Sequence, residues 1–226
     1  MPGRTGLLAA ACLLTVAATA QPARGGEVAG RVELRGKDGV LGPAAGAVLW
    51  IPGVPASAPA AAGPVLASKD KRFDPHVVAV ARRSTVVFPN QDKIFHNVFS
   101  RSAGNEFDLG LYRGGKSREF QFATPGLVRI YCNIHSEMAA YVMVLDGAAF
   151  AVADEAGRYR IGDLPDGRRE VRVWHERAGE TTTFVDVAGR ATALDLVLDA
   201  AGYREEAHKN KYGEDYPPAT HDADRY

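Results

Sequence analysis

Apolar and polar residues alternate with a period of two along much of the chain, the pattern of strands with one face buried. Val28, Gly30, Val32 and Leu34 alternate with polar neighbours, Gly36-Lys37-Asp38-Gly39 reads as a turn, and residues 47–51 form a short apolar run. Further runs at 76–81, 85–88, 94–100, 118–122, 127–132 and 140–145 predict strands divided by Gly and Pro turns. A second group follows at 150–153, 158–161, 170–174, 182–187 and 193–198. Strands at about 8 to 12 residue spacing, with little helical periodicity, predict an all-β chain of sandwich or barrel type. In sequence order this gives one sandwich over 27–147, broken by a loop at 52–64 with four Pro among five Ala, then a smaller β-sandwich over 148–200. Residues 201–226 are rich in charge and contain Pro217-Pro218. They predict a polar, solvated tail with one short helix at 204–209.

Composition narrows the function classes. The 226 residues hold 27 Lys+Arg against 27 Asp+Glu, so the formal net charge is zero. A neutral chain without a long basic run argues against nucleic acid or an anionic membrane surface as the main partner. Residues 1–20 carry Arg4, an apolar stretch over 7–18 and the small residues Ala18-Thr19-Ala20, a pattern that predicts an export signal and a periplasmic or secreted mature chain starting near Gln21. No later segment is apolar enough for a membrane span. Lipid attachment at Cys12 is the alternative, though it would leave Leu13, Leu14 and Val16 as an apolar N terminus. Cys12 then departs with the signal and Cys132 is the remaining cysteine. In an oxidising compartment a lone cysteine is buried and inert, reactive, or bound to metal.

The chemistry concentrates in Tyr131-Cys132-Asn133-Ile134-His135-Ser136-Glu137-Met138, with Phe95-His96-Asn97-Val98 upstream. Cys132, His135 and Met138 place a thiolate, an imidazole and a thioether on one tight loop leaving a strand, and a neighbouring strand can add His96. Two His and one Cys around a metal, with a weak axial Met, suit blue copper. Thiolate and thioether favour Cu(I), imidazoles satisfy Cu(II), and a rigid β scaffold limits rearrangement when an electron moves. Zinc prefers more Cys or His and takes a thioether poorly. The plainer alternative is a core cysteine with His135 and Met138 nearby by accident.

Gly126-Leu127-Val128-Arg129-Ile130-Tyr131-Cys132, the Cys-x2-His-x2-Met loop and His96-Asn97-Val98 resemble the cupredoxins, and the short loop is similar to that of amicyanin. The resemblance spans roughly residues 65–146 and implies a Greek-key sandwich in which His96, Cys132, His135 and Met138 ligate one type 1 copper. It also implies that Asn97 ties the two ligand loops together near the sulfur. Asp154-Glu155-Ala156-Gly157-Arg158-Tyr159-Arg160-Ile161, Leu164-Pro165-Asp166-Gly167 and Val171-Arg172-Val173-Trp174-His175 resemble carboxypeptidase regulatory-like, transthyretin-like modules. The two-domain order is similar to that of exported methylamine utilisation proteins, which informs fold more than substrate.

The remaining candidates read as structural. Met143 alternates as a strand residue, His76 precedes a strand without a partner His, and His175 beside Trp174 fits a domain interface. His208 and His221 lie in the polar tail, and Trp50 reads as core. The chain therefore reads as a one-electron carrier between redox partners such as a cytochrome or a dehydrogenase. A copper carrier or delivery protein is the alternative. An enzyme reading would need a second His cluster, and the sequence has no His-x-His.

Overall fold

The computed structural model describes residues 25–55, 63–205 and 207–216. The predicted signal at 1–20, residues 56–62 of the Pro/Ala-rich loop and His221 lie outside them. Among the described residues every regular element is a strand, as the alternation predicts, and no helix is long and apolar enough to cross a membrane. The strands are β1 (Gly26–Arg35), β2 (Leu41–Pro43), β3 (Val48–Pro52), β4 (Ala67–Lys69), β5 (Arg72–Asp74), β6 (Val77–Ala81), β7 (Thr85–Pro89), β8 (His96–Ser100) and β9 (Phe107–Tyr112). They continue with β10 (Ser117–Gln121), β11 (Gly126–Tyr131), β12 (Ala139–Leu145), β13 (Ala148–Val152), β14 (Arg158–Leu164), β15 (Gly167–His175), β16 (Gly179–Val187), β17 (Ala191–Ala193) and β18 (Leu196–Asp199).

Strand pairing corrects the boundary expected from sequence order. β1 runs antiparallel to β14 and parallel to β17 and β18, while β3 sits between β13 and β15 in a sheet ordered β13-β3-β15-β16. Residues 26–52 thus belong to the sandwich made by 148–199 rather than to a unit spanning 27–147. Neighbours in sequence usually pair, but here the apolar faces of β1 and β3 find their complement late in the chain. Val28, Val32, Leu49 and Ile51 share one core with Ile161, Leu164, Val171 and Val173. The segment carrying β4 to β12 is an insert in this outer sandwich. Its ends emerge side by side, since Pro52 and Ala148 face each other across the β3–β13 ladder.

The insert is itself a sandwich. A sheet ordered β6-β12-β11-β8-β9 and the β7–β10 pair enclose Leu66, Phe88, Val98, Phe122, Ile130 and Val142. A third apolar layer joins the two bodies, with Val48, Trp50 and Trp174 of the outer sheet against Val77, Met143 and Leu145 of the insert. Alternation therefore decides two destinations per strand. In β3, Leu49 and Ile51 face the outer core while Val48 and Trp50 face the insert. That double burial explains the uninterrupted apolar run at 47–51, and it sends Met143 to the interface, away from the core that holds Cys132.

β2, β4, β5 and β9 lie outside the runs expected from sequence; in β9 the pairing with β8 shifts register between Asn97 and Phe99, so Phe107 and Leu109 face the core while Leu111 is exposed. The helix expected at 204–209 is absent from its described residues, and residues 207–216 pack against the insert instead of forming a solvated tail.

Candidate metal centre

The antiparallel ladder of β11 and β12 joins Tyr131 to Ala139, so the chain leaving β11 at Cys132 must return within a few residues. A tight loop does this, closed by Cys132 N–H to the Met138 carbonyl (3.2 Å) and Met138 N–H to the His135 carbonyl (3.1 Å). β8 lies beside β11 through the Tyr131–Phe99 bridge and brings His96, its first residue, to the same end of the sheet. Cys132 Sγ lies 3.6 Å from His135 Nδ1 and 3.9 Å from His96 Nδ1. Cys132, His96 and Met138 are fully buried, and His135 is half-buried. Met138 shares the core of Cys132.

The donor set fits a transition metal. A metal about 2.0 Å from an imidazole nitrogen and about 2.3 Å from a thiolate, with about 120° between them, holds the two donors about 3.7 Å apart. The two observed sulfur–nitrogen separations bracket that value. Among the described residues these are the His, Cys, Asp and Glu donors that converge within 4.8 Å.

His96 is oriented by a residue the sequence reading overlooked. Its Nε2 lies 2.7 Å from Asp92 Oδ2, so Nε2–H donates to the carboxylate and Nδ1 keeps its lone pair toward the sulfur. Asp92 is held in turn by the N–H groups of Asp70 (2.7 Å) and Lys71 (3.0 Å) in the β4–β5 turn. Burial opposes the charge of Asp92, yet the bonds from Lys71, His96 and Asp70 outweigh it and lower the pKa. Desolvation lowers the pKa of His96 against the pull of Asp92, which keeps the ring neutral and able to ligate. The signal available in sequence was the four-residue spacing of Asp92 and His96 across a turn.

Burial pushes the Cys132 thiol up, opposed by main-chain N–H groups of Asn97, Ile134 and His135 that bond the sulfur. A bound cation would offset the burial, and the three donors would then favour the thiolate. Asn97 does join the two ligand segments, but through its backbone. Its side-chain Nδ2 donates to Asp108 Oδ1 at 2.6 Å instead.

The other histidines have structural surroundings. His76 bonds Glu176 across the two bodies (2.6 Å), and buried His175 accepts from Arg177 N–H (3.1 Å). His208 stacks on Tyr131 with centroids 4.0 Å apart.

No protein-family model matches the sequence, and no curated protein matches it. Solved structures do. A reduced Cu(I) amicyanin variant at pH 4 is 18% identical over 38% of this chain and 86% of its own, with a TM-score of 0.36. A purple cupredoxin from Nitrosopumilus maritimus is 19% identical over 36% of this chain and 99% of its own, with a TM-score of 0.33. The copper-containing nitrite reductase of Thermus scotoductus is 21% identical over 42% of this chain and 25% of its own, with a TM-score of 0.36. These structural neighbours of the chain are cupredoxins.

Proposed function

We propose that this chain is an exported type 1 copper protein that carries single electrons between redox partners, with no catalytic site of its own. The observation that carries the reading is the convergence of His96 Nδ1, His135 Nδ1 and Cys132 Sγ in a buried, β-framed position. Copper held there would supply two oxidation states one electron apart. His96, Cys132 and His135 would hold it, with the Met138 thioether as a weaker fourth ligand. The chain's own contribution is rigidity. The Asp92 carboxylate fixes one ring, the closed Cys132–Met138 loop fixes the other, and backbone amides surround the sulfur. Buried ligands favour retention of the ion over its exchange, so a carrier fits better than a copper-delivery role. Export rests on the pattern of residues 1–20, and the partner is a redox protein such as a cytochrome or a dehydrogenase. We read the outer sandwich as a carboxypeptidase regulatory-like module that bears the metal domain as an insert.

The test is an absorption spectrum of the copper-loaded protein. An intense thiolate-to-Cu(II) band in the visible, lost in Cys132→Ser, is the expected result. A colourless wild type that binds zinc one to one would overturn the reading.

A further inference from the structure

The described end of the chain returns to the metal centre and bonds the groups that surround the sulfur. Tyr216 O–H donates to the carbonyl of Cys132 itself (2.7 Å). Lys211 N–H donates to Oδ1 of Asn133, the next residue of the ligand loop (2.9 Å). Lys211 Nζ reaches Asp108 Oδ2 (2.7 Å), whose Oδ1 receives Asn97 Nδ2 (2.6 Å), and the backbone N–H of Asn97 bonds the sulfur. One lysine thus grips both the β8 side and the loop side of the site. The segment is built to present these contacts. Buried Asn210 accepts the N–H groups of Tyr212 (2.9 Å) and Glu214 (3.0 Å), which forms a tight turn, and His208 lies on Tyr131 with Nδ1 3.3 Å from the Tyr216 hydroxyl.

We propose that residues 208–216 form a strap belonging to the metal centre, in which Tyr216 and Lys211 are positioning residues for the Cys132–His135 loop and the Asn97 amide. Neither touches a predicted ligand donor atom. They act through the Cys132–Asn133 peptide and through Asp108 and Asn97. An ordinary surface tail would leave the Cys132 carbonyl to solvent, whereas this one supplies a phenol to it. The strap's consequence is slow exchange: the loop cannot open around the metal while both residues hold. The proposal rests on the copper reading for its metal role, but the strap itself is a property of the metal-free fold.

The test uses the full chain as Tyr216→Phe and Lys211→Met, with Lys211→Arg as the conservative variant that keeps the charge at Asp108. Two rates are read: alkylation of Cys132 by iodoacetamide in the metal-free protein, followed on the Cys132 peptide by mass spectrometry, and removal of copper by a Cu(I) chelator. Loss of the half-buried Tyr216 hydrogen bond, about 1 to 1.4 kcal/mol, predicts rates about five- to tenfold faster in Tyr216→Phe with a displaced visible band. Lys211→Met gives up a solvent-exposed ion pair, about 0.5 to 1 kcal/mol, and should be about two- to fivefold faster. Lys211→Arg should stay near wild type. Wild-type rates and an unmoved band in both Tyr216→Phe and Lys211→Met would overturn the strap. A wild type without a visible band would overturn the copper reading alone, since the alkylation rates still decide the strap.

Discussion

Which nitrogen of His96 a metal can use is decided by one carboxylate. With Asp92 on Nε2, the ring presents Nδ1 to the sulfur, and rotation of the ring would break the bond between this buried ring and a partly buried carboxylate. Such outer partners are worth about 10- to 100-fold in metal affinity. Asp92→Ala should therefore weaken copper binding by that factor while leaving the fold intact, measured by competition with a chelator of known affinity. Unchanged affinity would mean the ring is held by packing alone. The same scale explains Asn97, where the side chain is occupied by Asp108 and the backbone amide serves the sulfur.

Single elements carry the site by their ends. His96 begins β8, Cys132 follows β11, and Met138 precedes β12, so strand pairing sets the spacing of the proposed ligands before any side chain is considered. The antiparallel β3–β13 ladder shows the same economy at the junction of the two bodies. Gly53 and Gly147 follow and precede the paired residues Pro52 and Ala148, with φ of +74° and +55°. Two positive-φ residues between paired strands make a type I′ turn. Deleting residues 54–146 and joining Gly53 to Gly147 should give an outer sandwich that still folds cooperatively, seen as a single thermal transition. Its uncovered face of Val48, Trp50 and Trp174 should make it self-associate as concentration rises. A product with no thermal transition would show that the outer sandwich depends on its insert.

The two bodies meet through an apolar layer and, at its exposed edge, an ion pair of His76 with Glu176. The hydrogen bond that His76 donates to Glu176 raises the His76 pKa above its ordinary 6.5, and the same bond lowers Glu176 below 4.5. Tyr141 faces the His76 ring, and His175 and Arg177 lie near Glu176. The raised His76 contributes stability that is full below about pH 6.5 and is lost as pH rises through its folded value. Glu176 contributes above about pH 4.5 and loses its share as pH falls through its lowered value. The pair is therefore strongest between these limits. The melting temperature of wild type should exceed that of His76→Gln by more at about pH 5.5 than at about pH 9. An equal difference at both would show that the contact is not ionic.

Much was legible in the chain by itself because it is local. Period-two alternation marks strands whatever they pair with, and Cys132, His135 and Met138 share one loop whose length forces them together. Partner choice is not local. That β1 and β3 join β13 to β18 depends on which apolar faces remain uncovered once the insert has closed on its own core. Asp92, Lys211 and Tyr216 look like ordinary polar residues in sequence, because a hydrogen bond to a distant backbone group leaves no periodic trace. Hydrophobic pattern and loop chemistry thus determined the elements and the donor set. Tertiary packing alone decided which sandwich owns the first strands and that residues 208–216 close on the site.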